Sequence, residues 1–290
     1  MLSSDWLDRF MALLKRWSMA EKINPLVVDL SHWITSDDYP AVKRDGIYGC
    51  IFKATEGQTY NDPTYVQQQK AAKAAGLKWG AYHFADGSNT KGQADNFLRF
   101  ACPDPDELFV LDWEDNPSGN GKMSMSQVKD WITQVETALG RPGECVIYGG
   151  NTIKEALGDD HDEFFAARRL WLCQYGSTPE VPDCWDTYWL WQFTDGNYGP
   201  EPHSIDGIGH CDINSYQGTP EQLLAEWASG SASPRPPRPG PEPEEMTTAH
   251  INVQTTGPIE VSIAVNGEVI YGGEHPLGQS RDRGKRRGKR

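Results

Sequence analysis

The sequence predicts an α/β protein, a TIM-like barrel in (β/α)5(β)3 order with a short N-terminal helix and a small C-terminal β appendage. From residue 25 onward, short apolar runs alternate with helix-patterned stretches, the rhythm of a parallel sheet with helices outside it. After residue 168 the helical stretches stop, and three more strand-like runs are joined by loops rich in Pro, Gly and Asp. Five strand–helix units and three strands make eight strands, the number a small closed barrel needs.

The elements follow in order. Residues 1–20, within "MLSSDWLDRFMALLKRWSMAEK", place Trp6, Phe10, Leu14 and Trp17 on one stripe of an amphipathic helix. Asp5 and Asp8 stand where the apolar core of a signal peptide would be, so no signal peptide is expected. A helix of roughly 15 residues is also too short to span a bilayer, and the expectation is docking on the protein's own surface. Residues 21–228 hold the barrel. Its strands are read at "PLVVDLSHW", "GCIFKATEG", "KWGAYHFAD", "LFVLDWE", "CVIYGG", "RLWLCQYG", "YWLWQFTDG" and "HCDINSYQG". Between them, "DPTYVQQQKAAKAAG" has Pro63 near its start and Gly76 past its end. The stretch "SMSQVKDWITQVETALG" offers Ser124 or Ser126 as a cap and Gly140 as a stop. "TPEQLLAEWAS" closes the domain as a short capped helix. Residues 229–246 form a Pro-rich linker, extended and semi-rigid. Residues 247–274 alternate with period two around an Asn-Gly turn at 266–267 and predict a hairpin or meander. Residues 275–290 are a basic, disordered tail.

Charge and cysteine usage narrow the chemistry. The formal charge is −14, but "RDRGKRRGKR" alone carries seven Lys or Arg against one Asp, which leaves −20 on the rest. A body that acidic is a poor nucleic-acid binder. The six cysteines form no C-x-x-C pair, and free thiols are favoured over a disulfide framework in a domain this large. The seven histidines offer no H-E-x-x-H or similar ligand set, so neither a metal nor another cofactor is expected.

The most informative stretch is "LDWED". Strand alternation puts Asp112 and Glu114 on one face and Trp113 on the other, so two like charges share a partly buried surface. That arrangement is costly unless it is used. Asp29 in "VVDLS" and Asp212 in "CDINSY" also lie near the expected C-terminal strand ends, the end that carries catalytic residues in such barrels. The first and eighth strands are neighbours and the fourth faces them, so four acids converge on one mouth. Paired carboxylates at that depth suit glycoside hydrolysis, in which one acid stays protonated and a second charge stabilises the oxocarbenium-like transition state.

These residues carry a resemblance. "VVDLSHW", "IFKATEG", "GLKWGAYHFA", "LDWED", "IYGG", "LWQFTDG" and "CDINSY" occur in the order and spacing of the glycoside hydrolase family 25 lysozymes, the Chalaropsis-type muramidases. The resemblance covers about residues 25–218. It implies cleavage of the β-1,4 bond between N-acetylmuramic acid and N-acetylglucosamine in bacterial peptidoglycan. It also implies that Glu114 is the general acid, that Asp112 stabilises the positive intermediate or orients the acetamido group, and that Asp29 and Asp212 line the pocket floor. Both a covalent carboxylate nucleophile and assistance by the N-acetyl group are compatible with it. Tyr82, His83, Tyr148, Trp191 and Gln192 lie on strands that end at the mouth and are candidate sugar contacts. Lys53 and Glu56 are candidates for a rim ion pair.

Two other readings compete. A chitinase-like barrel needs a further Asp two residues before Asp112, where Val110 stands. A non-catalytic peptidoglycan-binding or virion-associated module would retain the barrel without turnover, yet all four acids are present. Without a signal peptide, the expected location is the host cytoplasm before release to the wall, as for a phage endolysin, or otherwise export to the wall. No stable membrane insertion is expected, and the sequence specifies no oligomeric partner.

Overall fold

The computed structural model describes residues 23–228 and, in a second unit, the backbone of two strands within 259–275. The chain divides into compact units at Pro234/Arg235. The expected N-terminal helix, linker, Asn-Gly turn and basic tail lie outside the described residues. In the second unit, β12 (Ile259–Val265) and β13 (Glu268–His275) pair antiparallel, with an irregularity between Ile263 and Ala264.

The first unit is a closed barrel of eight strands. They are β1 (Pro25–Leu30), β2 (Gly49–Glu56), β4 (Lys78–Phe84), β5 (Leu108–Asp112), β6 (Val146–Gly149), β7 (Arg169–Cys173), β8 (Leu190–Thr194) and β11 (Asp212–Ser215). Each pairs with the next around the ring, and β11 closes it against β1. The short strand β3 (Tyr60–Asn61) extends β2, while β9 (Ser204–Ile205) and β10 (Gly209–His210) form a separate small ladder. Five crossovers carry helices: α1 (Tyr39–Arg44), α2 (Tyr65–Ala74), α3 (Thr90–Phe100), α4 (Met125–Leu139), then α5 (Asn151–Leu157) with the single turn α6 (Glu163–Ala166). α4 starts at a reciprocal Ser124/Gln127 capping box and stops at Gly140, whose φ of 67° suits glycine.

One expectation about strand direction is corrected. Seven strands run parallel, but β11 is antiparallel to both β8 and β1. Residues 195–211, which include the β9–β10 ladder, turn the chain over at the mouth between β8 and β11, whereas residues 174–189, also without a helix, return it to the floor between β7 and β8. Asp212 therefore stands at the start of its strand, not near its end. It reaches the mouth all the same, directly opposite Asp29.

Side-chain alternation makes two cores. Outward residues such as Val28, Phe52, Trp79, Phe109 and Ile147 pack under the helices. Inward residues such as Val27, Ile51, Val110, Val146 and Trp171 fill the barrel. The floor is closed by α7 (Pro220–Glu226), which delivers Trp227 into the barrel. Its indole donates to the Trp79 carbonyl at 2.8 Å and lies where a Cβ on Gly49 would come within 2.2 Å of the ring. Only glycine fits beneath it. With the floor sealed, the open end is the mouth, where the acids stand.

Candidate active site

β1, β5 and β11 bring the four acids together. β5 ends at Asp112, and Glu114 follows two residues later in a bend. Alternation still governs this stretch. Trp113 turns outward, stacks on Phe165 and donates to the Met123 carbonyl at 2.9 Å, leaving its neighbours facing the mouth. Asp29 and Asp112 are buried, while Glu114 and Asp212 are partly exposed. Burial pushes all four carboxyl pKa values upward, Asp29 to about 6 and Asp212 to about 8. After burial, Glu114 acts most strongly on Asp112, and Asp29 acts most strongly on both Glu114 and Asp212. The repulsion expected within "LDWED" thus extends to all four groups.

Asp29 differs from the others in its partners. The Gln192 amide donates to both its oxygens, at 3.1 and 3.0 Å, and the Asn214 amide donates at 2.8 Å. Both amides are oriented from behind. Tyr148 donates its hydroxyl proton to Gln192 Oε1 at 2.9 Å, and the Trp171 indole donates to Asn214 Oδ1 at 2.6 Å. With their carbonyls occupied by donors, the amides can present only N–H to Asp29. That environment favours the carboxylate and opposes the effect of burial. Asp112 is the opposite case, because its Oδ1 is buried without a hydrogen-bond partner. A buried acceptor in that state adds to the cost of charging Asp112.

Lys53 projects inward from β2. It pairs with Glu56 at 2.5 Å, lies over the rings of Tyr60 and Phe84, and counteracts the upward shift of Asp112. Asn116 donates to the other Glu56 oxygen at 3.0 Å. Beside this pair opens a polar pocket of about 360 Å³, lined by residues that include Glu56, Gln58, Tyr60, Asp86, Ser88 and Asn120. No group of three or more His, Cys, Asp or Glu among the described residues could hold a metal ion.

The candidate sugar contacts divide by strand face. Tyr82 and Tyr148 face the acids, since the surrounding carboxylates add to burial in raising both phenols. Gln192 also turns inward, but its amide is engaged within the protein. His83 and Trp191 turn away and are not brought to the mouth. His83 is fully buried, bonded to Thr55 at 2.7 Å and Gln93 at 3.0 Å, and stacked on Trp131. Trp191 packs with Tyr188 and Phe193 and donates to the Gln174 carbonyl at 2.7 Å. Each is the outward neighbour of an inward residue, which is the reason for both corrections. Sequence reading missed Asn214, although it lies two positions from Asp212 and hence on the same face. It also missed Cys173, whose thiol meets Gln192 Oε1 at 3.2 Å, and Tyr175, whose phenol is raised by burial and by Cys173, Asp212 and Asp29.

This geometry can be set beside known proteins. Residues 28–201 match the sequence pattern of glycosyl hydrolases family 25. Lysozyme M1 of Streptomyces globisporus is 30% identical over 210 residues, covering 68% of this chain and 69% of that protein. The crystal structure of the bacterial lysozyme from Streptomyces coelicolor aligns with a TM-score of 0.61 at 30% identity, over 73% of this chain and 100% of the other. The muramidase from Acremonium alcalophilum aligns with a TM-score of 0.60 at 28% identity, over 71% and 99%. The barrel, its reversed last strand and its ring of acids are those of a chain that belongs to glycoside hydrolase family 25.

Proposed function

We infer that the protein is a peptidoglycan muramidase that hydrolyses the β-1,4 bond between N-acetylmuramic acid and N-acetylglucosamine. The observation that carries this reading is the set of four carboxyls at one mouth, each raised by burial in a family of glycosidases. A glycosidase needs an acid that keeps its proton near neutral pH and a negative charge facing the sugar as positive charge develops on it.

Glu114 is the proposed general acid. It is the more accessible member of the "LDWED" pair, and Asp29 adds to burial in holding its proton. The proton passes to the glycosidic oxygen as the bond to the anomeric carbon breaks, and water later adds at that carbon. Asp112 is proposed to face the developing charge. Its place at the end of β5, on the same face as Glu114, supports that role, either beside the anomeric carbon or orienting the substrate acetamido group. Asp29, held by its amides, is proposed as the standing anion of the site. Asp212 and the inward tyrosines Tyr82 and Tyr148 complete the pocket walls. The bacterial wall is then the place of action, and no helix among the described residues is long and apolar enough to cross a membrane.

The test is digestion of purified peptidoglycan followed by identification of the new reducing ends. Muramic acid ends are expected. Glucosamine ends would assign a glucosaminidase, and intact glycan would assign a binding module.

A further inference from the structure

Five large apolar side chains are exposed among the described residues, and four of them are aromatic: Trp33, Tyr60, Tyr175 and Tyr198. All four follow barrel strands at the mouth, after β1, β2, β7 and β8. Trp33 is the extreme case, with 82% of its surface in water. An exposed Trp on a loose loop would mean little. This one is held at the tip of a closed turn, in which Ile34 N–H donates to the Ser31 carbonyl at 3.0 Å. The turn is fastened from below by buried Asp62, which accepts from the His32 backbone N–H at 3.0 Å and meets His32 Nδ1 at 2.9 Å.

The rings form a continuous path. Trp33 and His32 have centroids 4.5 Å apart, and His32 and Tyr60 5.9 Å. Tyr60 lies beside Lys53 and lines the polar pocket next to the Lys53–Glu56 pair. A fixed aromatic surface therefore leads from open solvent to the pocket, which is also lined by Glu56, the partner of Lys53. The pocket lining mixes amide, hydroxyl and carboxylate groups with nearly as much apolar surface, and its volume is at the small end of the range for ligand pockets. Flat apolar rings beside hydrogen-bonding walls suit a pyranose, which has an apolar C–H face and hydroxyls around its edge.

We propose that Trp33, Tyr60 and the adjoining pocket form a saccharide-binding extension of the cleft, which holds the glycan strand beyond the sugars in contact with the acids. This rests on the muramidase reading and deepens it, because the substrate becomes a long strand gripped at a distance from the cut. Trp33 provides the stacking face, and Glu56, Gln58, Ser88 and Asn120 supply hydrogen-bonding groups for hydroxyl and acetamido substituents.

The experiment uses the full chain carrying Glu114→Gln, so that ligand is not consumed, and β-1,4-linked N-acetylglucosamine oligomers of increasing length as the probe. Calorimetry compares this protein with the same protein carrying Trp33→Ala or Trp33→Phe. Affinity is expected to rise with length in the parent. In Trp33→Ala the shortest oligomers bind nearly as before, and the longest lose about two- to twelvefold, the scale of one aromatic stacking contact. Trp33→Phe is expected to restore most of that loss. Equal loss at every length, or no loss at any, would overturn the extension. So would a concentration-dependent dimer that Trp33→Ala abolishes, since a second copy would then be what covers the ring. If the Glu114→Gln parent binds no oligomer, the muramidase reading fails first and the extension with it.

Discussion

At the scale of single residues, the site works by keeping like charges close and giving each a different environment. Replacing Glu114 with Gln keeps the shape but removes the donated proton, and turnover on native wall is expected to fall about 10²–10⁴-fold with the melting temperature retained. Near wild-type turnover in that variant would remove Glu114 from the proposed role. Asp112→Asn is expected to be more damaging than Asp29→Asn or Asp212→Asn, a ranking read directly from kcat on soluble peptidoglycan. The raised carboxyls also bear on stability. Asp212 holds its proton from the ordinary value of 3.8 up to about 8, so the native state binds more protons than the unfolded chain across that window. Its contribution is thus fully present below the lower value and is lost as pH rises through the upper one. Asp212→Asn is accordingly expected to melt higher than the wild type at pH 8, with the gain shrinking toward pH 4. Melts showing no gain at pH 8 would contradict this. Gln192 acts through Asp29, which faces Asp212, Glu114 and Asp112. Gln192→Met removes two of its N–H bonds, so the acid limb of the kcat/KM profile is expected to move to higher pH.

At the scale of elements, much was legible because barrel strands announce themselves by period two. "LDWED" could be read as an inward pair flanking an outward Trp because Asp112 and Trp113 obey that period, although β5 itself ends at Asp112. The same period separates Tyr82 from His83 and Gln192 from Trp191, yet an apolar or aromatic neighbour on either face fits a two-sided sheet equally well. Which face belongs to the mouth is a matter of packing against helices, and Trp131, which stacks on His83, lies far along the chain. The direction of β11 was not read from its own residues, because β7 and β8 are also joined without a helix and yet run parallel. The floor offers a direct check on element packing. Trp227→Ala is expected to cost about 3–5 kcal/mol, and Gly49→Ala roughly 1–3 kcal/mol or more, because its methyl meets the Trp227 ring. In a double mutant the Gly49→Ala penalty should largely vanish, since the ring it strikes is gone. Additive losses in denaturant melts would show that the two positions do not meet.

At the scale of the whole molecule, the barrel's buried core among the described residues is drawn from residues 26–227. Truncation after Ser229 is therefore expected to leave the melting temperature and hydrolysis of soluble fragments close to those of the full chain. A collapse of either would place a needed contact in residues 230–290. The Pro-rich composition is what suggests that boundary, whereas the reversed closure of the ring had no local signature. That closure carries a consequence for how the protein is made. Val27 pairs with Asn214, and Asn24 binds the Tyr216 and Gly218 carbonyls across |i−j| separations of 192 and 194. On a ribosome adding about 5–20 residues per second, one edge of β1 waits roughly 10–40 s for its partner. Until then the nascent chain has Asp29, Asp112 and Glu114 but no closed mouth to hold them, and the floor lacks Trp227. Hydrolytic activity is therefore expected only once β11 and Trp227 have been made, and chains ending before Asp212 are expected to be inactive on peptidoglycan.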